Sequence, residues 1–329
     1  MIRYGILGFG HHAVRRLMQG FAGASDARLS GLWRRDAAKA EANAREYSIP
    51  HVFATPEALC ASKEIDAVFI VSPDALHLEH VLLAARHRKH VLCEKPLAMN
   101  VGQVERMLAA TEKARVKFGV AQNMRYNRSV ALMREWIAAG RIGRPTLAQA
   151  QFAYSAAGSP RTWIYDPTLA LGGPIGDVGI HCVDALRFVL GTDVTAVGTL
   201  AHTDAESGEV ESHAVVGLDF TSGAMGSVTV ATRSAYRTLI EVTGENGVIV
   251  CENGLTVDFP VDVVRRGPEI AASETVSNED AYSRMLDGFS AWIEGRSEYL
   301  APALDGLHNQ RVLDAAYTSW RNGARVNLL

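Results

Sequence analysis

The sequence predicts an α/β protein with two domains. Over residues 1–122, apolar strands alternate with amphipathic helices, the pattern of a doubly wound parallel sheet that helices cover on both faces. Over residues 123–329, alternating strands and hairpin turns predict an α+β domain with a large, open, mostly antiparallel sheet. The length of 329 residues supports the division, since about 150 residues make a typical domain.

The first domain repeats a rhythm of strand, turn and helix. Residues 68–71 read Val-Phe-Ile-Val, a continuous apolar run typical of a strand buried on both faces. The predicted strands are 2–7, 28–33, 67–71, 90–93 and 117–121, and the predicted helices are 37–47, 76–87 and 101–114.

The second domain begins with helices and continues with strands. Helices are predicted at 129–139 and 174–190, with an extended segment at 146–154 between them. Residues 214–220 alternate apolar and polar side chains, and Asn246-Gly247 predicts a hairpin. Two helices, at 279–294 and 304–321, follow the sheet.

Composition excludes several classes of protein. The 33 basic and 36 acidic residues give a net charge of −3, without the basic excess of a nucleic-acid-binding protein. No apolar run approaches the roughly 18 residues of a membrane span, and the first apolar run is too short for a signal peptide. The four cysteines form no Cys-x-x-Cys motif. We therefore expect a soluble, cytoplasmic protein without nucleic-acid or membrane partners.

A glycine-rich turn follows the first predicted strand and opens a helix. It reads Gly-x-Gly-x-x-Ala from Gly8 to Ala13, which in this context is typical of a dinucleotide fingerprint. Gly8 allows the tight turn, Gly10 lets the backbone approach a pyrophosphate, and the helix N-terminus favours the phosphate charge. The sequence predicts a Rossmann-type cofactor site that includes Gly8, Phe9, Gly10, His11 and His12.

Two arginines stand where NAD-binding folds usually carry an acidic residue. That acid binds the ribose hydroxyls about 20 residues beyond the glycines, the distance at which Arg34 and Arg35 follow the turn. A guanidinium binds a 2′-phosphate through charge-assisted hydrogen bonds. We therefore predict that NADP is preferred, with NAD as the alternative if the arginines form only a solvated surface pair.

Two further motifs carry groups suited to catalysis. Glu94-Lys95-Pro96 follows a predicted strand at the carboxyl edge of the sheet, where a lysine can favour negative charge on a substrate oxygen. Asp177 and His181 lie four residues apart on one face of a predicted helix, an arrangement that suits a general acid/base pair. The alternative interpretation of the first motif is a common surface tripeptide, and that of the second is a solvated pair. The pairs His77/His80 and His87/His90 lack converging ligands, so no metal is expected.

The order of these motifs resembles the glucose–fructose oxidoreductase and inositol dehydrogenase (Gfo/Idh/MocA) family. The resemblance covers essentially the whole chain and implies that Lys95, Asp177 and His181 are catalytic. It adds a cofactor loop at 72–77, although Asp74 replaces the usual asparagine, and Leu171 stands where many members have a third glycine. The further implied cofactor residues are Ser72, Pro73, His77, Glu94, Lys95 and Trp163, and the implied substrate residues are Lys95, Asn123, Arg125, Asp177 and His181.

The resemblance implies an NAD(P)-dependent oxidoreductase that interconverts an alcohol and a carbonyl on a sugar or polyol. His181 would transfer the hydroxyl proton, and Lys95 would polarise the reacting oxygen. A glycosidase that retains its NAD and a non-catalytic, cofactor-sensing regulator are the alternatives. The regulator is disfavoured because both Lys95 and His181 are present.

The open face of the second sheet predicts self-association. The chain's own helices can cover only one face, and Val215, Thr229 and Ile249 are predicted to point to the other. Family members use this face for assembly, so we expect a homodimer or homotetramer.

Overall fold

A computed structural model describes residues 1–268 and 271–328 of the chain. The chain forms two compact units, one of Met1–Gln122 with Tyr282–Leu307 and the other of Asn123–Ala281 with His308–Leu329. Residues 282–307 thus pack with the first unit, although the prediction from sequence groups them with residues 123–281.

Aromatic packing explains why residues 282–307 belong to the first unit. Phe289 is fully buried, and its ring lies 6.5 Å from that of Tyr4. The Tyr4 hydroxyl hydrogen-bonds Ser290 at 2.9 Å, and the Tyr299 hydroxyl donates to the Val120 carbonyl at 2.8 Å. A sequence pattern carries no signal for such contacts, because the partners are more than 170 residues apart.

The first unit contains a six-stranded parallel sheet in the order β3-β2-β1-β4-β5-β6. Its strands are β1 Ile2–Leu7, β2 Ala27–Trp33, β3 His51–Val52, β4 Ala67–Ile70, β5 His90–Cys93 and β6 Phe118–Val120. Its helices are α1 Met18–Gly23, which continues a π-helical turn at Ala13–Leu17, α2 Ala37–Glu46, α3 Pro56–Ala61, α4 His77–Arg86 and α5 Val101–Ala114. Strand order reverses between β1 and β4, the point at which doubly wound sheets bind ligands.

Local sequence explains where these elements begin and end. All four residues of β4 are fully buried, as its continuous apolar run predicts. Asn100 caps the N-terminus of α5, where its side chain accepts a hydrogen bond from the Gln103 amide. The prediction from sequence contains neither β3 nor α3, because two and six residues are too short to establish a periodicity.

The second unit contains a nine-stranded mixed sheet in the order β14-β13-β12-β11-β7-β10-β9-β8-β15. Its strands are β7 Pro145–Ser155, β8 Val194–His202, β9 His213–Phe220, β10 Met225–Ala231, β11 Arg233–Gly244, β12 Gly247–Glu252, β13 Val261–Arg266, β14 Ala272–Val276 and β15 Val326–Asn327. Its helices are α6 Arg128–Ala138 and α7 Ile180–Leu190, the latter continuing a π-helical turn at Ile175–Gly179. Two more helices, α8 Ala281–Ile293 and α9 Ala303–Asn322, lie between β14 and β15 in the chain. All pairs in this sheet are antiparallel except β7 with β10.

The two faces of this sheet differ in exposure. Val216 and Val228 face a continuous apolar core, whereas Val215 and Leu200 on the outer face are 46% and 79% exposed. The expectation that Ile249 also points outward is wrong: Ile249 is fully buried on the core face. The register of the β11–β12 hairpin places Ile249 opposite Val242, which is buried in the same core. Ile249 therefore points to the core face of the sheet and not to the outer face.

Among residues 1–268 and 271–328, no helix combines the length and the hydropathy that crossing a membrane requires.

Candidate active site

The glycine turn after β1 forms a backbone cradle. Gly8 has a φ of +90°, and a Cβ at this position would lie 2.7 Å from the Ser72 amide nitrogen, so the close approach of β1 and the chain after β4 requires glycine. A Cβ on Gly10 would meet only the Gly8 carbonyl, at 3.7 Å. The protein itself thus leaves open the space beside Gly10 that a pyrophosphate needs. These residues fit a dinucleotide.

The rest of this predicted site lies at the same edge of the sheet. Phe9 is fully buried, His11 is exposed and His12 is half-buried. His77 links two loops, because its ring nitrogens lie 2.8 Å from the Ser72 carbonyl oxygen and 3.0 Å from that of Pro96. The structure therefore ties the 72–77 loop to the turn that carries Lys95.

A buried hydrogen bond further fixes the 72–77 loop. The Ser72 hydroxyl lies 2.9 Å from Nδ1 of His80, and burial lowers the pKa of His80 to about 4. His80 is therefore neutral near pH 7 and has a structural partner. Within the described part of the chain, no group of three or more His, Cys, Asp or Glu side chains is arranged to hold a metal ion.

Glu94 and Lys95 follow β5 at this edge. Lys95 is half-buried, whereas Glu94 is buried and its Oε1 lies 3.0 Å from Nε2 of His12. Burial acts to raise the pKa of Glu94, but the attraction of His12 and Lys95 holds it below its usual value. The pair connects the glycine turn with the turn of the lysine.

The end of β2 presents a cation. The Arg34 guanidinium donates to the side-chain oxygen of Asn43 on α2 at 2.8 Å, and Arg35 is exposed. Asp36, the first carboxylate after the strand, caps α2 by accepting from the Lys39 amide at 3.0 Å. Asp36 therefore serves as a helix cap, while Asn43 holds the Arg34 guanidinium in place.

In the second unit, Asp177 lies in the π-helical turn that leads into α7, and His181 lies in the first turn of α7. π-Helical turns are rare and occur often at functional sites. His181 is buried, and its ring stacks on that of Phe152 with centroids 6.3 Å apart.

Two side chains that the sequence motifs do not identify hold Asp177. The Tyr154 hydroxyl donates to Asp177 Oδ2, and the Arg161 guanidinium lies 3.4 Å from each oxygen of the same carboxylate. Burial and the Asp177 charge raise the pKa of Tyr154, and Asp177 also raises that of Arg161. Tyr154 therefore keeps its proton, and Asp177 accepts hydrogen bonds from both side chains. Their separations of 23 and 16 residues match no helical or strand spacing.

The pair of glycines before this turn makes room for two buried residues. A Cβ on Gly172 would lie 2.0 Å from the Tyr317 hydroxyl, and one on Gly173 would lie 1.9 Å from the Glu211 carbonyl oxygen. The Glu211 carboxylate accepts from the Gly173 and Ile175 amides, each at 2.9 Å, and from the Tyr317 hydroxyl. Glu211 and Tyr317 thus fix the start of the turn that carries Asp177, and no motif in the sequence signals either residue.

The remaining predicted residues of this unit differ in their surroundings. Trp163 is half-buried in a short 3₁₀ turn, Thr162–Tyr165, and Asn123 is buried. Arg125 is also buried and makes an ion pair with the buried Asp184, with Nη2 2.6 Å from Oδ1. The Arg125 guanidinium therefore pairs with a carboxylate in the interior of the unit.

A doubly wound sheet with a glycine cradle at its switch point defines the first unit as a dinucleotide-binding domain. Residues 2–122 match the model of the oxidoreductase family with the NAD-binding Rossmann fold, and residues 130–250 match the GFO/IDH/MocA C-terminal domain.

Individual relatives agree with these family models. 1,5-Anhydro-D-fructose reductase from Ensifer adhaerens is 31% identical over 309 residues, which cover 93% of this chain and 92% of the reductase. D-Xylose 1-dehydrogenase (NADP(+)) 2 from Haloferax volcanii is 28% identical over 327 residues, or 99% of each chain. The crystal structure of aldose-aldose oxidoreductase from Caulobacter crescentus matches 99% of each chain at 28% identity with a TM-score of 0.92. The chain belongs to the GFO/IDH/MocA family and is an NAD(P)-binding oxidoreductase, which confirms the resemblance and the predicted fold class.

We expect substitutions of the two cradle glycines to differ: one should affect stability and the other nucleotide binding. Gly8→Ala should lower the free energy of unfolding by about 1–3 kcal/mol, because alanine at positive φ is strained. Gly10→Ala should leave stability within about 0.5 kcal/mol but weaken nucleotide binding about tenfold, because its methyl group enters the cradle. Urea denaturation and nucleotide titration measure the two effects. Normal nucleotide affinity in folded Gly10→Ala would contradict the cradle.

Proposed function

We propose that the protein interconverts an alcohol and a carbonyl on a sugar or polyol, with NAD(P) as its cofactor. The observation that carries the reaction type is the pairing along one helical turn of His181, a buried imidazole, with Asp177, a carboxylate four residues earlier that Tyr154 and Arg161 hold. The substrate class rests on the relatives: the three reported above are named for anhydrofructose, xylose and aldose chemistry, and none is named as a glycosidase.

The proposed roles follow the chemistry of each group. When bound, the nicotinamide accepts or supplies the hydride. His181 takes the hydroxyl proton during oxidation and returns it during reduction. Lys95 donates a hydrogen bond to the reacting oxygen and stabilises the negative charge that develops on it. Asp177 orients His181 or accepts a hydrogen bond from a neighbouring substrate hydroxyl.

The other predicted contacts divide into two groups. Asn123 and Trp163 are proposed to border the substrate and the nicotinamide, respectively. For Arg125 we propose a structural role instead of substrate contact, because both its Nε and its Nη2 donate to Asp184. The proposed cofactor contacts in the first unit are Gly8, Phe9, Gly10, His11, His12, Arg34, Arg35, Ser72, Pro73, His77, Glu94 and Lys95.

NADP is the proposed preferred cofactor. Arg34 is oriented by Asn43 and presents a guanidinium at the end of β2, while Asp36 is occupied as a helix cap. The first carboxylate after β2 is thus directed toward the amides of α2, and the residue that the strand end offers to a 2′-phosphate is a cation that attracts it.

Removal of either proposed proton-handling group should abolish most turnover. Lys95→Ala and His181→Ala should each lower kcat by about 10²–10⁴-fold, the usual contribution of a positioned proton-transfer group, with a smaller effect on nucleotide affinity. The assay follows nicotinamide absorbance with a panel of sugars, polyols and their keto forms. Lys63→Ala and His51→Ala, at exposed positions of the first unit, serve as matched controls. Near-normal turnover in folded Lys95→Ala or His181→Ala contradicts the assignment.

Cofactor preference should depend on Arg34. Arg34→Asp should shift the ratio of kcat/KM for NADP to that for NAD toward NAD by about 10- to 100-fold, because it removes a charge-assisted contact. Arg106→Asp, an exposed change on α5, controls for net charge. Equal kcat/KM values for both cofactors in the native protein, or an unchanged ratio in Arg34→Asp, show that Arg34 does not bind the 2′-phosphate.

The exposed outer face of the second sheet is the proposed surface for a homodimer or homotetramer. Leu147 and Met225 are exposed there in addition to Val215 and Leu200, which places four large apolar side chains on one sheet face. Light scattering of the native protein should give a dimer or tetramer at micromolar concentration. Leu200→Glu should produce monomers because it buries an unpaired charge, whereas Phe259→Glu, at an exposed position outside this face, should not. A native monomer refutes the proposal.

A further inference from the structure

The Asp177 carboxylate is held by two side chains from outside its own helix. The Asp177 side chain is 14% exposed, and the hydroxyl of Tyr154 on β7 donates a hydrogen bond to its Oδ2. Arg161 precedes the 3₁₀ turn Thr162–Tyr165, and its guanidinium lies 3.4 Å from each Asp177 oxygen and 3.3 Å from the Tyr154 hydroxyl oxygen. Tyr154, Arg161 and Asp177 therefore all contact one another.

The strand that carries Tyr154 also supports His181. Phe152 and Tyr154 are two residues apart on β7, so their side chains lie on the same face of the sheet. The Phe152 ring stacks on the His181 ring with centroids 6.3 Å apart and lies 6.4 Å from the Tyr154 ring. One face of β7 therefore contacts both Asp177 and His181, and with the helical turn it sets their relative position.

Electrostatics explains why the carboxylate needs Arg161. A carboxylate with little access to water is costly unless a cation and hydrogen-bond donors compensate its charge. Burial and then the Asp177 charge raise the pKa of Tyr154, and the same charge raises the pKa of Arg161. Tyr154 is therefore a neutral donor near pH 7, and Arg161 is a cation. The attraction is mutual, so Arg161 favours the ionised form of Asp177.

We propose that Tyr154 and Arg161 are positioning residues of the reaction, which keep the Asp177 carboxylate ionised and in one orientation relative to His181. This inference rests on the proposed function, and it holds whether Asp177 orients His181 or accepts from a substrate hydroxyl. It assigns neither residue a contact with substrate or cofactor. Tyr154 acts through the direction of its hydrogen bond, and Arg161 acts through its charge.

The role of Tyr154 is tested by removing one oxygen atom. Tyr154→Phe keeps the ring against Phe152 and should lower kcat/KM about tenfold, the scale of a lost hydrogen bond to a charged group. In an Asp177→Ala background, the same change should alter kcat/KM by less than about twofold, because Tyr154 acts through the carboxylate. The assay follows nicotinamide absorbance with the sugar or polyol that the native protein turns over fastest.

Tyr299→Phe is the matched control for a lost phenol hydrogen bond. The Tyr299 hydroxyl donates to the Val120 carbonyl in the first unit, away from Asp177. This control should lose stability as Tyr154→Phe does, but its kcat/KM should stay within about twofold of the native value.

The role of Arg161 is tested by a pH profile. Arg161→Met should lower kcat/KM about 10- to 100-fold and move the acidic limb of its pH profile upward by about one pH unit. The limb moves upward because loss of a cation favours the protonated forms of Asp177 and His181, whichever of them produces it. Arg161→Lys keeps the charge and should leave the limb in place, although lysine lacks the planar fork and restores the rate only in part. A loss of packing alone lowers activity at every pH and leaves the limb unmoved.

Arg144→Met is the control for a lost ion pair in the same unit. Arg144 pairs with Glu245 at an exposed position, with Nη2 2.9 Å from Oε1. Its rate and pH profile should match those of the native protein. If circular dichroism shows that Arg161→Met does not fold, Arg161→Gln removes the charge with a polar side chain and should move the limb in the same direction.

Separate outcomes overturn the inference and the proposed function. Unchanged kcat/KM in folded Tyr154→Phe, or an equally large loss in the Asp177→Ala background, shows that Tyr154 does not act through Asp177. An unmoved limb in the charge-removing Arg161 variant overturns the role of Arg161, and the pH profiles decide alone where Asp177→Ala is too slow to measure. A native protein that turns over no sugar or polyol overturns the proposed function and this inference with it.

Discussion

A buried carboxylate must find hydrogen-bond donors, and both units of this protein use that requirement to hold their functional loops. Glu94 accepts from the Lys95 amide in the first unit and lies against His12. In the second unit, Glu211 accepts from the amides of Gly173 and Ile175. In each case the donors lie in the loop that carries a proposed catalytic group, so the position of that group depends on a buried carboxyl group whose hydrogen bonds are satisfied.

The same requirement explains the glycines of the second motif. Glu211 can reach the backbone amides only if the chain passes close to it, and at Gly173 a Cβ would overlap the Glu211 carbonyl oxygen. Gly172 is similarly required by the Tyr317 hydroxyl, which itself donates to Glu211. Leu171 lies just before this close contact and is half-buried. A third glycine is therefore unnecessary for the packing seen here.

The parts of the fold that sequence predicts well depend on neighbours in the chain. The fully buried strand β4 and the capped helix α5 follow from short local patterns, and the Gly8 turn follows from its place between strand and helix. The side on which Ile249 points depends on the register of a hairpin, and alternation counted from other strands gives the wrong face.

The candidate site shows the same division. Asp177 and His181 are recognisable because they are four residues apart on one helical face. Tyr154, Arg161 and Glu211 contact the Asp177 turn from a strand and two loops, and their sequence separations follow from the tertiary fold alone. No periodicity encodes such contacts, so the residues that position a catalytic group are harder to predict than the group itself.

The end of β2 shows how a structural task changes the chemistry of a site. A helix begins directly after this strand, and its free amides need an acceptor. Asp36 supplies it, which raises the stability of α2 and directs the carboxylate toward the Lys39 amide. An acid placed earlier would be free to accept from ribose hydroxyls, but positions 34 and 35 are arginines. The position of the cap is set by where α2 starts, and the acid therefore stands at position 36. Helix capping and the positive charge that the end of β2 offers a nucleotide are linked in this way.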